Sequence, residues 1–344
     1  METAVVILNW NGVAFLKQFL PTLIQFTPEA KTIVIDNQST DESTLYLHEN
    51  HPEVEVIINS FNGGFAKGYN DGLNLLNGRF KYYVLINSDV EVTSGWLSPL
   101  ITLMDSNDSI VGVQPKILSY KQKDTFEYAG ACGGYMDKNY YPFCRGRMFD
   151  VVEKDTGQYD SETEVFWVSG ACMAVRANIF HSLKGFDEDF FAHMEEIDFC
   201  WRAKRQGYTF YVNPASVIYH VGGGTLAYGS PRKTYLNFRN SLYMIHKNHK
   251  RLLFFKVCYR LCLDGLAGIK FLLSGQFHHI IAILKAHFHY YRDLGKLQRK
   301  RKALVITTKS YNKSGLFKGS LLWNYYFKKI RIFSRLNQRL FSER

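Results

Sequence analysis

The side chains of this 344-residue chain whose types and spacing best suit holding a polar ligand or moving a proton fall in a few short clusters. Asn9-Trp10-Asn11 opens the series. Asp36-Asn37-Gln38-Ser39-Thr40-Asp41, Asn62-Gly63-Gly64-Phe65-Ala66 and Asn87-Ser88-Asp89 follow, each directly behind a short apolar run. Further on, Glu195-Glu196-Ile197-Asp198 sets three carboxylates within four residues, and His220 ends an extended run just before Gly222-Gly223-Gly224. Neighbouring carboxylates raise one another's pKa, which keeps one of them useful as a base near neutral pH. Any single cluster of Asn, Asp, Ser and Gly could equally be a turn or a helix cap. A lone histidine is more often structural than a ligand.

These clusters need elements to position them. Apolar runs at residues 4–8, 32–36, 54–59 and 81–87 alternate with segments of helical period at 15–26, 43–49, 66–76 and 96–104. That order builds a parallel sheet flanked by helices. The runs are apolar throughout, as strands covered on both faces are. Ligands of such sheets bind in the crevice outside the carboxyl ends of the strands, where the first four clusters lie. Four clusters on one edge outweigh the turn-or-cap explanation of each. From 108 to 225 the pattern is less regular: a Tyr- and Gly-rich stretch at 128–141, a strand at 164–168, helices at about 177–183 and 196–206, and an extended run at 210–220. A dinucleotide fold would carry Gly-x-Gly-x-x-Gly after its first strand. Asn9-Trp10-Asn11-Gly12-Val13-Ala14 stands there instead, and a nicotinamide dehydrogenase loses most of its support. The six cysteines include no Cys-x-x-Cys pair, so neither a zinc ribbon nor a thioredoxin-like motif is indicated. Cys172 reads as a buried structural thiol.

The ordered set VVILNWNG, VIDNQSTD, NGGFAKGYNDG, LINSDVE, VSGACMAVR, GFDEDFFAHMEEIDFCWRAKRQGY and VIYHVGGG, over about residues 4–225, resembles family-2 glycosyltransferases of the GT-A nucleotide-diphospho-sugar fold, in particular their rhamnosyltransferase-like branch. The resemblance implies an inverting transfer of a sugar, rhamnose or another hexose, from a dTDP- or UDP-sugar. It assigns Asp36 to the nucleotide base, with Asn9 and Asn11 lining the same pocket and Trp10 as its wall or part of the core. It sets Asn62, Gly64 and Lys67 at the nucleotide or its phosphates, on a loop entering a helix. Asn87-Ser88-Asp89 takes the place of the Asp-x-Asp signature, with Asn87 replacing its first carboxylate. Asp89 would bind Mg²⁺ or Mn²⁺ through oxygen, and His220 would be a second ligand of that cation. Glu195-Glu196-Ile197-Asp198 matches the catalytic segment, with Glu196 at the position of the base and one methylene longer than the usual Asp. Asp198 and Arg202, four residues apart, leave two readings open: an ion pair along a helix, or an Arg202 beside the departing diphosphate. Small residues at Ser169-Gly170-Ala171 would let sugar or acceptor approach the backbone closely.

Charge divides the chain. Residues 1–245 carry 20 Lys/Arg against 28 Asp/Glu, a net −8, whereas 246–344 carry 22 against 3, a net +19. We therefore expect a GT-A catalytic domain at 1–245 and a basic, amphipathic helical region at 246–344 that attaches to an anionic membrane surface. Lys256, Arg260 and Asp264 recur every fourth residue among apolar neighbours, and 296–302 and 328–335 add basic clusters. The start of the chain lacks the pattern of a signal peptide, and the longest uncharged stretch of the apolar tail, 271–284, is too short to span a bilayer. These features, with the resemblance, lead us to expect a peripheral protein on the cytoplasmic face of the membrane, acting on a growing, lipid-linked glycan. No nucleic-acid module is recognisable, so nucleic acid is not an expected partner. Two rivals are a nucleotidyltransferase, which would need a Gly-rich, Lys/Arg-bearing loop after the first strand, and a non-catalytic, membrane-associated carbohydrate-binding or scaffold protein.

Overall fold

A computed structural model describes residues 1–222, 229–308 and 310–342; Gly223 and Gly224 of the expected glycine break lie outside them. Strands β1 (Thr3–Asn9), β2 (Lys31–Asp36), β3 (Glu55–Ile58) and β4 (Tyr82–Asn87) alternate with helices α1 (Val13–Gln25), α2 (Ser43–Asn50) and α3 (Gly64–Leu75). Next come β5 (Val90–Val92), α4 (Leu97–Ser106) and β6 (Ile110–Ser119). Four short strands, β7 (Gly134–Asp137), β8 (Pro142–Cys144), β9 (Arg147–Met148) and β10 (Val151–Val152), precede β11 (Thr163–Val165), β12 (Cys172–Arg176), α5 (Ala177–Ser182), α6 (Glu195–Lys204) and β13 (Thr209–His220). The chain closes with α7 (Pro231–Asn248), α8 (Leu253–Leu273), α9 (Phe277–Arg292), α10 (Leu294–Thr307) and β14 (Leu316–Phe317).

The main sheet runs β11-β13-β6-β12-β4-β1-β2-β3, with β5 paired to β13. Strands β3, β2, β1 and β4 are parallel, and β12 inserts antiparallel between β4 and β6. Both faces are covered. Val6, Ile33 and Leu85 pack with Tyr69 and Leu73 of α3, while Val5, Val34 and Val84 pack with Leu16, Leu20 and Leu23 of α1. Parallel register aligns Asn9 with Asp36 and Leu8 with Asn87, so three of the expected clusters emerge side by side.

The irregular stretch hides two central strands. β6 escapes pattern reading because it contains Pro115, which cannot donate to a ladder. Its partner β13 accommodates this by shifting register between Asn213 and Val217, opposite Pro115 and Lys116. β12 is only five residues long and too short for its period to declare a strand. The strand expected at 164–168 is confined to Thr163–Val165, with Trp167 forming a single bridge to Gly134.

The expected boundary at 245 falls inside α7, and the tail folds back onto the body. β14 pairs in parallel with β7, and Phe317, Phe333 and Phe341 pack around Tyr135 and Phe143. The polar stripe of α8 faces inward. Arg260 Nε donates to Asp264 Oδ1 (2.8 Å), its guanidinium covers the Tyr141 ring at 4.1 Å, and Asp264 Oδ2 lies 3.3 Å from His287 Nε2 of α9. Phe254, Phe255, Leu266, Ile269 and Leu273 are left exposed.

Candidate active site

Asn9 is wholly buried at the end of β1, and its amide donates to Asp36 Oδ2 (3.0 Å) and Ser39 Oγ (3.2 Å). Asp36 also accepts from the Ser39 amide (2.7 Å) and hydroxyl (2.7 Å), and is only 1% exposed. The carboxylate thus braces the loop that follows it. Asn11 sits in the left-handed region (φ 49°), which Asn tolerates. Its Oδ1 accepts from the amides of Thr40 (2.7 Å) and Asp41 (3.3 Å). Trp10 is exposed and outside the core. Sequence reasoning gave Asn37 and Ser39 no individual role and did not single out Asn59. Asn37 donates to Asn62 Oδ1 (3.0 Å) and accepts from Asn59 (3.0 Å), a network tying two loops together.

The loop entering α3 is closely packed. Gly64 has φ 79°, and a Cβ there would fall 2.6 Å from the Phe191 ring and carbonyl. The amides of Phe65 and Ala66 donate to the Phe191 carbonyl (2.7 and 3.3 Å), so the helix N-terminus expected to face phosphate is capped by backbone. Lys67 pairs with Asp71 (2.8 Å) and Glu188 (3.8 Å). Asn62, Gly64 and Lys67 are all engaged in building the loop.

Asp89 and His220 do come together. β5 pairs antiparallel with β13, aligning Val90 with His220. His220 Nε2 then lies 3.1 Å from Asp89 Oδ1 and 3.3 Å from Asn87 Nδ2, while its Nδ1 lies 3.3 Å from Glu127 Oε2. Burial opposes charge on this imidazole, but hydrogen bonds to the two carboxylates prevail and lift its pKa to about 10. Burial likewise opposes charge on Asp89, yet His220 holds its pKa below the usual carboxylate range. Glu127, a lone acid in the Tyr- and Gly-rich stretch, carried no motif signal. Among the described residues no three acidic, His or Cys side chains converge as a ready metal cage. By donor type the set fits a divalent cation, with carboxylate oxygen and imidazole facing each other where one now shares a proton.

α6 begins with the acidic segment, and acids in a first turn suit the helix dipole. Its approach is strained: Phe191, His193 and Met194 have φ of 64°, 70° and 74°. Asn240 of α7 holds this run by donating to the carbonyls of Phe190 (3.0 Å), Ala192 (2.8 Å) and His193 (2.7 Å). Glu195 is buried, and burial, then its neighbour Glu196, push its pKa well above the usual range. Glu196 is half-buried with Oε2 unpaired, and burial pushes its pKa to about 7. Gly170 lies beside it, its side-chain position 3.9 Å from Glu196 Cβ.

Asp198 and Arg202 form the ion pair (2.8 Å). Asp198 is fully buried and also accepts from Lys247 (2.9 Å) and Asn248 (2.7 Å), while Arg202 donates to the carbonyls of Leu183 and Gly185 (both 2.6 Å). Both groups are thus engaged within one buried cluster, the helix ion pair being the arrangement of the two expected ones that the geometry displays. Cys172 is buried, and burial pushes its thiol pKa up.

A sheet of this order, with oxygen-rich loops at its strand ends and a paired-carboxylate helix start across from them, is the GT-A fold of nucleotide-sugar transferases. The model of "Glycosyl transferase family 2" matches residues 4–178, and the chain belongs to that family: it is a glycosyltransferase. It is similar to the "N-acetylglucosaminyl-diphospho-decaprenol L-rhamnosyltransferase" of Mycobacterium tuberculosis, 24% identical over 238 residues, 64% of this chain and 76% of that protein. The "Low-salt glycan biosynthesis hexosyltransferase Agl10" of Haloferax volcanii is 22% identical over 245 residues, 70% and 74% of the two chains. Among solved structures, GalNAc-T7 with UDP, GalNAc and Mn²⁺ aligns at a TM-score of 0.56 and 16% identity, over 72% of this chain and 48% of its own. The mannosyltransferase PcManGT of Pyrobaculum calidifontis with GDP-Man and Mn²⁺ aligns at 0.51 and 13%, over 89% and 86%.

Proposed function

We propose that the protein is an inverting, divalent-metal-dependent glycosyltransferase that moves rhamnose or another hexose from a dTDP- or UDP-sugar to a lipid-linked glycan at the cytoplasmic face of a membrane. The observation that carries this reading is Glu196. It is the one member of the acidic segment that is not fully buried as a residue while its Oε2 is buried and without a hydrogen-bond partner, and its pKa near 7 suits a general base. Glu196 takes the acceptor hydroxyl proton as the hydroxyl attacks the anomeric carbon and the carbon–oxygen bond to the diphosphate breaks. Burial and the charge of Glu196 keep Glu195 protonated behind it, and the Asp198–Arg202–Lys247 cluster fixes α6 against α7. Gly170 leaves room for the reacting sugar beside Glu196. Asp89 and His220 would hold the cation, with Asn87 adjacent; bound there, Mg²⁺ or Mn²⁺ stabilises charge on the leaving diphosphate. The loop order imposed by Asp36, Asn9 and Asn11 shapes the base pocket.

Membrane attachment is supported by the outward apolar face of α8, an arrangement that suits an interfacial helix. No helix among the described residues is long and apolar enough to cross a membrane. Of the basic cluster at 296–302, Lys296 and Lys300 pair with Asp189 and Asp187, and Arg301 donates to backbone carbonyls of 246, 249 and 250, which leaves attachment chiefly to the apolar face. The test is release of UDP or dTDP from a panel of nucleotide-sugars, with and without Mn²⁺, by wild type and Glu196→Gln. Wild type that releases no nucleotide from any donor, in any metal, refutes the reading.

A further inference from the structure

A cleft of about 580 Å³ opens between α7 and α9, separate from the strand-end crevice. Arg232, Tyr235 and Arg239 line it from α7, Ile281 and Lys285 from α9, and Phe191 from the segment leading into α6. No carboxylate is among its lining residues. None of its three cations has an acidic partner within 4 Å among the described residues. Arg239 donates to the carbonyls of Asp189 and Phe190 and to the Tyr235 hydroxyl, all neutral acceptors. Arg232 lies 5.3 Å from the centre of the Phe191 ring, and Lys285 lies 5.5 Å from that of Tyr235. Nearby cations on α7 and α10 are matched instead: Lys247 and Lys300 share Asp187, and Lys296 pairs with Asp189. Three unmatched charges around one concavity favour an anion there.

The remaining chemistry of the cleft is apolar, and it continues outward. Ile281 belongs to an exposed row along α9, Phe277, Ile281, Leu284 and Phe288, spaced four, three and four residues apart on one helix face. At the other end stands Phe191, whose carbonyl caps α3 and whose segment leads within five residues to Glu196. A ligand matching the whole surface has an anionic group at the inner end and a hydrocarbon chain leaving along α9.

We propose that this cleft holds the phosphate or diphosphate of the lipid-linked acceptor, between Arg232, Arg239 and Lys285, with the lipid chain lying along the exposed row of α9. The assignment rests on the acceptor class given under the proposed function. It places the membrane-facing helices and the base on one path: the lipid chain stays with the apolar face while the glycan reaches toward Glu196.

The test uses full-length protein and four probes: farnesyl diphosphate, inorganic pyrophosphate, farnesol, and phosphatidylcholine vesicles containing phosphatidylglycerol. Farnesyl diphosphate should bind at least about tenfold more tightly than pyrophosphate or farnesol. Arg232→Ala combined with Lys285→Ala should weaken it by about tenfold or more, the scale of losing two charge-assisted contacts. The double variant should keep wild-type melting temperature, UDP affinity and vesicle binding. Equal binding of pyrophosphate would make the cleft a site for free anions and overturn the proposal. So would farnesyl diphosphate binding that survives the double substitution, or a parallel loss of vesicle binding, which would mark a general patch for anionic lipid. UDP titrated with Mn²⁺ reports on the donor site separately. Wild type that binds UDP but not farnesyl diphosphate overturns the cleft assignment alone, leaving the donor reading intact.

Discussion

Replacing Glu196 by Gln tests catalysis and stability in one variant. Burial raises this carboxyl from the ordinary 4.5 to about 7. Between those values the folded protein keeps a proton that the unfolded chain has released. Its contribution is therefore fully present below pH 4.5 and lost as pH rises through 7. The shift corresponds to at most about 3 kcal/mol above pH 7. Water reaching the half-buried side chain reduces this to roughly 1–2 kcal/mol. Gln carries no such burden. The variant should match wild type near pH 5 and be about 1–2 kcal/mol more stable at pH 8, a gap read as a difference in melting temperature at the two pH values. Turnover should fall by about 10²–10⁴-fold, because Gln cannot take the acceptor proton. Wild-type turnover should itself rise with pH around a midpoint near 7. A variant with near-wild-type turnover, or a melting-temperature gap equal at pH 5 and pH 8, would refute the assignment of Glu196 as a buried base.

Asp89→Ala should abolish metal-dependent nucleotide binding in calorimetric titrations, leaving the circular dichroism spectrum unchanged. Asn240→Ala strips three carbonyls of the strained run 190–193 of their donor and should cost about 2–3 kcal/mol in denaturant unfolding, with turnover falling because the start of α6 loses its brace. Lys247→Met leaves Asp187 and Asp198 short of a buried cation and should cost about 3–5 kcal/mol, a loss that chemical denaturation would register. Phe255→Glu combined with Leu273→Glu places charge on the exposed face of α8 and should end cosedimentation with anionic liposomes while leaving donor hydrolysis intact.

The alternation of strands and helices and the polar clusters at the strand ends were readable because both are local. A continuous apolar run such as 4–8 or 32–36 declares a strand covered on two faces, and the polar residue that ends it must sit at the sheet edge. The acidic segment, with its helical spacing and its Asp198–Arg202 pair, is equally local. Long-range closure was not readable. Nothing near Phe191 indicates that its carbonyl caps α3 and packs against the loop at Gly64. Glu127 reaches His220 only because β6 and β13 lie side by side, and β6 itself was masked by Pro115, whose missing donor is accommodated by a bulge in the partner strand. The sequence by itself determined that the chain has a nucleotide-sugar transferase's strand-end loops and a two-faced α8. Periodicity separates the faces of a helix but carries no sign. Only the tertiary structure, by offering Tyr141 and His287 to Arg260 and Asp264, decided that the charged stripe turns inward and the phenylalanines and leucines turn out.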